Sequence, residues 1–247
     1  MKVQIVDPPA YTPPYDRSLC AALARSGADV ELVTSKFSHG PVPPAEGYRV
    51  SEVFYRRSGG RSGGGSARRA LKAAEHLGDM MRYRRNGRAA DVVHYQWLPL
   101  PALDSRLLPP TRPRVLTAHG VLREEGFKRR LARGLRSLLE RMDAVVTLSE
   151  HGARRLRDQA GLDERRVRVI PHGALDYLTR LPDEVPLPEE LAAVEGPVVL
   201  CFGLIRPYKG VDVLLDAFRS IDGAELWIVG RPLGISLGGL RNLAAPA

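Results

Sequence analysis

Two His-Gly pairs stand where buried-looking strands end: His119-Gly120 closes the run 114–118, and His172-Gly173 follows the run 167–170 through Pro171. A histidine at such a point can hydrogen-bond sugar hydroxyls or phosphate oxygens near neutral pH, and a glycine lets backbone come close to a ligand. A third cluster lies further on, in Phe202-Gly203-Leu204-Ile205-Arg206-Pro207-Tyr208-Lys209-Gly210. It falls between an expected strand at 198–202 and an expected helix at 211–218. The free N–H groups and positive dipole end of that helix would face an anion there. Lys209 adds a point charge, and Arg206 adds a planar fork suited to phosphate oxygens. Near the start, the Pro/Tyr-rich stretch from Pro8 carries Tyr11 and Tyr15 directly after the first strand.

These residues need a scaffold, and the patterning supplies one. Short β-branched runs alternate with longer helix-period segments, which predicts an α/β fold with a parallel sheet covered by helices. Strands are expected at 3–6, 30–33, 91–98, 114–118, 144–148 and 167–170, then again at 198–202 and 226–229. Helices are expected from Asp16, read as an N-cap, to Gly27, at 67–85, at 124–141 and at 150–159. The prolines of the first loop are read as excluding regular structure. Residues 56–70 read as a basic, flexible Gly-rich stretch. Residues 1–175 therefore read as one domain and 176–195 as an acidic, Pro-bearing connection. Residues 196–247 read as the opening of a second α/β domain whose sheet is incomplete. In open α/β sheets ligands bind beyond the carboxyl ends of the strands, where the residues singled out above fall.

Composition narrows the field. The 247 residues are 44% hydrophobic and 26% charged, which excludes disorder, coiled coil and collagen-like chains. Lys and Arg number 37 against 28 Asp and Glu, giving a net charge of +9 that favours anionic partners. Cys20 and Cys201 are too few and too far apart for a disulfide framework or a metal site, and reduced, buried thiols are expected. No signal peptide or membrane-spanning run is read, so a cytoplasmic protein is expected. Dinucleotide-binding, P-loop, zinc and serine-hydrolase signatures are not found. Low aromatic content, with no rings interleaved in the basic runs, argues against nucleic acid as a partner. The helix bearing Lys128, Arg129, Arg130, Arg133 and Arg136 leaves peripheral contact with an anionic membrane as an expectation.

The order of motifs resembles the GT-B glycosyltransferases, specifically the large retaining group called family 4 or group 1. The resemblance runs through residues 21–30 (Ala-Ala-Leu-Ala-Arg-Ser-Gly-Ala-Asp-Val), Asp91-Val92-Val93-His94 and Leu116-Thr117-Ala118-His119-Gly120. It continues through Val145-Val146-Thr147-Leu148-Ser149, Val169-Ile170-Pro171-His172-Gly173 and the 202–210 loop, followed by Val213-Leu214-Leu215-Asp216-Ala217-Phe218. It implies two Rossmann-like domains facing a cleft, and transfer of a sugar from a nucleotide-diphosphate sugar to an acceptor with retention of configuration. It implies no redox cofactor, and generally no metal for the transfer step. By the same resemblance Gly203, Arg206, Lys209 and Gly210 would hold the donor, with Arg206 and Lys209 neutralising its diphosphate. His119 would contact the transferred sugar near the reacting carbon. His172 and Gly173 would line the donor side at the hinge, and Tyr11, Tyr15 and Gly120 would border the acceptor, a glycan, lipid or small molecule. The chain departs from the pattern at Leu204, where many members carry Arg, and in its Pro/Tyr-rich first loop. It also ends before the glutamate-containing donor motif, so a truncated donor domain is expected. The alternative expectation is a catalytically incomplete fragment acting as a binding module.

Overall fold

The structure is a computed structural model that describes residues 1–38, 40, 42–58, 66–86, 90–120, 129–175 and 185–244; side chains at 66–69, 86, 129–132 and 243 are outside the description. The chain divides into two compact units, Met1–Arg180 and Leu181–Ala247.

The first unit is built on seven parallel strands, β1 (Lys2–Asp7), β2 (Asp29–Ser35), β3 (Arg49–Phe54), β4 (Val92–Tyr95), β5 (Arg114–Ala118), β6 (Ala144–Thr147) and β7 (Val167–Val169). They lie in the order β3-β2-β1-β4-β5-β6-β7. The chain steps outward from β1 to β3, then returns to pair β4 with the other side of β1. The switch point of the sheet therefore lies between β1 and β4, where a doubly wound sheet opens a crevice for ligands. The α/β, Rossmann-like class expected from the alternation is the class observed.

Period-two alternation sorts β1 between two cores. Val3 and Ile5 pack with Val30, Leu32 and Cys20 on the side of α1 (Pro13–Arg25). Val6 points the other way, into a larger core with Val33, Phe54 and Val93. That core is covered by Met80 and Tyr83 of α2 (Ser66–Asn86), by Leu138 and Leu139 of α4 (Arg129–Glu140), and by Ala153 and Leu156 of α5 (Glu150–Asp158). Between α2 and α4 comes α3 (Pro101–Leu107). Ser149 caps α5, its Oγ accepting from the Gly152 N–H at 3.1 Å.

Several local expectations are corrected. α1 starts at Pro13, with prolines at its first two positions, not at Asp16, which instead lies buried in the first turn. Proline is suited there because those N–H groups have no intrahelical acceptor. Strand β4 stops at Tyr95 rather than Leu98, freeing Gln96 and Trp97 for the site. The strand β3 and the helix α3 were not anticipated. Residues 59–65, the middle of the expected Gly-rich stretch, and 121–128, which include the expected start of α4 and Lys128, lie outside the described residues, as do the side chains of Arg129 and Arg130.

The second unit contains a short α6 (Glu189–Ala192) inside the stretch expected as a connection, then β8 (Val198–Phe202), α7 (Val211–Phe218), β9 (Glu225–Val229) and α8 (Leu237–Ala244). β8 and β9 pair in parallel from Val198↔Glu225 to Phe202↔Val229. A small core gathers Ile205, Val211, Leu215 and Leu240. Val199, Leu200 and Phe202 of β8 are exposed. Cys20 is buried and Cys201 half-buried, both as free thiols.

Candidate functional site

In the first unit the residues singled out by strand-end position converge at the switch point. Tyr15, from the first turn of α1, sets its ring edge-on to His119 with centroids 5.0 Å apart, and lies 5.1 Å from the ring of His172. Trp97 stacks on His119, centroids 5.0 Å apart and planes within 11°. Tyr11 meets Trp97 edge-on at 5.5 Å. Loops after β1, β4, β5 and β7, with the first turn of α1, thus bring Tyr11, Trp97, His119, His172 and Tyr15 into one ring cluster, and Gly120 and Gly173 are exposed beside it. A cavity of about 130 Å³ opens here, lined by Gln96, Trp97, Thr117, His119, Gly120 and the α4 leucines Leu135, Leu138 and Leu139 among others.

The polar partners of these rings were not singled out in advance. His119 Nε2 lies 2.9 Å from Gln96 Oε1. Since that oxygen can only accept, Nε2 carries the proton and Nδ1 keeps its lone pair. Burial, together with the nearby His172, lowers the His119 pKa to about 4, so the imidazole is neutral at pH 7. The Gln96 amide nitrogen is buried without a partner among the described residues and borders the same cavity, a donor open to a ligand oxygen. Behind it, His94 Nε2 meets Thr117 Oγ1 at 2.8 Å, and burial followed by the His119 ring lowers its pKa to about 4.

A carboxyl pair holds the first loop in shape. Asp7 Oδ2, at the end of β1, accepts the Tyr11 N–H at 2.7 Å and the Thr12 N–H at 3.4 Å. Thr12 Oγ1 accepts from Trp97 Nε1 at 3.1 Å and donates to Asp16. Asp16 stands beside Asp7, whose Oδ1 is buried with no hydrogen-bond partner among the described residues. Burial raises both pKa values, that of Asp16 further because Asp7 adds like charge. Ala10 takes the left-handed conformation, φ 51°, within this loop. The Pro/Tyr-rich stretch is thus an ordered ledge carrying Tyr11.

In the second unit, the loop after β8 is fixed by backbone. The Gly203 N–H donates to Val229 O at 3.0 Å and the Ile205 N–H to Arg231 O at 3.0 Å. Gly203 adopts φ 119°. Gly230, just after β9, lies so close that a Cβ there would sit 1.7 Å from Gly203 O, so only glycine fits. Residues Pro207–Lys209 make one 3-10 turn, and Gly210, left-handed at φ 65°, starts α7. Arg206 Nε is buried with no acceptor among the described residues. A guanidinium N–H withdrawn from water and left unpaired is costly unless a ligand oxygen meets it. Lys209 is exposed, its ammonium 5.9 Å from the Tyr208 ring. Gly203, Arg206, Lys209 and Gly210 thus share one strand–helix turn in this unit, while His172 and Gly173 belong to the first. Among the described residues no cluster of His, Cys, Asp or Glu is arranged to hold a metal ion. No described helix is long and apolar enough to cross a membrane.

Comparison with known proteins places this geometry. The D-inositol 3-phosphate glycosyltransferase of Geodermatophilus obscurus is 33% identical over 120 residues, a stretch covering 44% of this chain and 26% of that protein. Sucrose-phosphate synthase from Thermosynechococcus elongatus superposes with a TM-score of 0.63 at 17% identity, over 93% of this chain and 62% of that one. Anabaena HepE in complex with UDP and glucose gives 0.57 at 18% identity, over 98% of this chain and 63% of that one. The chain spans less than two thirds of each, and at these identities the structural likeness shows a shared GT-B fold. Residues 16–174 match the profile of Glycosyltransferase Family 4 across most of the first unit, and the chain belongs to that family.

Proposed function

We propose that this chain acts in glycosyl transfer from a nucleotide-diphosphate sugar, the loop after β8 binding the donor diphosphate and the ring cluster contacting sugar and acceptor. The observation that carries the reading is Arg206 Nε, buried and unpaired in a turn that opens a helix. Its fork and the Lys209 ammonium would meet diphosphate oxygens, and Gly203 and Gly210 would let backbone N–H groups approach them. Negative charge grows on that diphosphate as the sugar–oxygen bond breaks, and fixed donors lower the barrier there. Because His119 is neutral, its part is to hydrogen-bond the sugar near the reacting carbon rather than to supply a positive charge. Tyr11, Tyr15 and Gly120 border the acceptor, a glycan, lipid or small molecule, and His172 and Gly173 border the donor. Transfer with retention of configuration is the outcome proposed, without a redox cofactor or a metal in the step. Binding of UDP by HepE supports a nucleotide donor for this family member.

The test is calorimetric titration of UDP-, GDP- and ADP-sugars into the protein and into Arg206→Ala and Lys209→Ala. One donor should bind, and each substitution should weaken it roughly 10-fold to 100-fold, as expected for a charge-assisted hydrogen bond. Release of nucleotide in the presence of acceptor, with the anomeric configuration read by NMR, separates turnover from a module that only binds. A folded sample that binds no nucleotide refutes the donor reading.

A further inference from the structure

Helix α2 is built inside out. Its described carboxylates and its histidine face the protein. His76 is 1% exposed and lies 2.7 Å from both Tyr55 Oη and Asp104 Oδ1. Asp79 accepts the Tyr55 N–H at 2.8 Å, and Glu75 accepts the N–H groups of Arg57 and Ser58. Lys72 leans inward over the Tyr55 ring at 4.7 Å. The opposite face, which an ordinary surface helix fills with charge, presents Ala70, Ala73, Leu77 and Met81, while Leu71 and Ala74 border a cavity shared with Glu31, Glu75 and Asp79. Leu71, Leu77 and Met81 are 48%, 37% and 46% exposed. Ala70, Ala73, Leu77 and Met81, spaced three or four apart, form one stripe along the helix.

The surroundings say what covers the stripe. Glu75 and Asp79 are the acidic residues of α2, and neither is on this face. At its carboxyl end stand exposed Arg84 and Arg85, with Arg106 of α3 beside them, while Arg82 is paired with Asp79 at 2.7 Å. Arg84 Nη1 donates to Arg106 O at 2.8 Å, fastening the two helix ends. Met81, Leu107, Arg84, Arg85 and Arg106 line a groove of about 440 Å³, apolar on its floor and cationic on its rim. A second copy of the chain would set these arginines against their own kind. An anionic bilayer instead offers acyl chains to the stripe and phosphates to the rim.

We infer that the outward face of α2 is a membrane-docking surface selective for anionic lipid, Leu77 and Met81 entering the headgroup region and Arg84, Arg85 and Arg106 pairing with phosphates. This placement differs from the α4 cations expected from sequence and is independent of the donor assignment.

The experiment is co-sedimentation of the full chain with phosphatidylcholine vesicles with or without about 30 mol% phosphatidylglycerol, at about 0.1 M and about 0.5 M NaCl. The protein should pellet with anionic vesicles at low salt and stay in solution with neutral ones. Leu77→Glu with Met81→Glu should lower the partition coefficient at least about 10-fold. Arg85→Ala should lower it about fivefold, the share of one cation at an anionic surface, and Arg25→Ala on α1 should leave it unchanged. Circular dichroism melting confirms that each variant is folded, since all these side chains are exposed. The inference is overturned if the unaltered protein ignores anionic vesicles, if it binds neutral ones equally, or if the double variant pellets undiminished. A dimer seen by sedimentation velocity and abolished by the double variant overturns it in favour of self-association.

Discussion

Replacing Gly134 by alanine should destabilise this protein, although the same change in an ordinary helix does the reverse. Alanine in a helix interior is favoured over glycine by about 1 kcal/mol. At Gly134, in α4, the added Cβ would fall 2.8 Å from Ala102 Cβ, 2.9 Å from Ala102 N and 3.1 Å from Ala102 Cα, all at the start of α3. Ordinary carbon contacts lie at about 3.5–4.0 Å, so α4 must retreat roughly 1 Å. Two of the three opposing atoms are backbone and cannot rotate away. Overpacking of this kind costs about 2–3 kcal/mol, leaving a net loss of about 1–2 kcal/mol. The control is Gly78→Ala in α2, where a Cβ meets nothing within 4 Å; it should gain about 0.5–1 kcal/mol. Urea unfolding of both variants checks the pair, and Gly134→Ala with Ala102→Gly should recover only part of the loss, because Ala102 N stays. A Gly134→Ala variant as stable as the unaltered protein would refute the close α3–α4 approach, and with it the position of the leucines walling the His119 cavity.

Gly230→Ala should loosen the loop after β8, since its Cβ would lie 1.7 Å from Gly203 O; a displacement of 1 Å or more can cost about 100-fold at a binding site, and nucleotide titration reads it against Gly239→Ala in α8, whose Cβ meets only an ordinary contact, Ser236 Cβ at 3.8 Å. Stability should fall with acidification between pH 6.5 and 4: His94 is held neutral in the folded state, with its pKa lowered to about 4, while the unfolded chain takes up a proton below about 6.5. From pH 7 to pH 5 this amounts to about 2 kcal/mol, a slope that should flatten in urea titrations of His94→Gln. Asp16→Asn should stabilise more at pH 8 than at pH 5. Raised carboxyl pKa values mean the folded pair is at ease when protonated and penalised as pH rises, and an amide removes that penalty; unfolding midpoints that shift equally at both pH values would sink the reading of a burial-raised carboxyl pair.

What the sequence revealed and withheld follows from the range of the interactions involved. Strands such as β2 and β6 are short β-branched runs flanked by breakers, and the residues just past each expected strand are site candidates by topology alone, which is how His119 and the loop bearing Arg206 were singled out. By contrast, β3 reads Arg-Val-Ser-Glu-Val-Phe, half polar because Ser51 and Glu31 hydrogen-bond across the face toward α2. The seven-residue α3 is too short to show a helical period. Pro13 and Pro14 were read as breakers because a sequence does not show whether a proline opens a helix or interrupts one. The partners of the site, Gln96 with His119 and Gly230 with Gly203, lie 20 or more residues apart and become visible only when strands pair. A glycine directly after β9 was the one signal for Gly230, and it is weak without the register of β8.

The β8–β9 pair carries a practical consequence for handling the protein. Each strand has only the other as its partner among the described residues, so a row of main-chain donors and acceptors on either flank is open beside Val199, Leu200 and Phe202. Such flanks recruit strands from neighbouring molecules. Concentrated preparations should therefore associate through residues 198–202 first, and a lysine at Val199 should keep them dispersed.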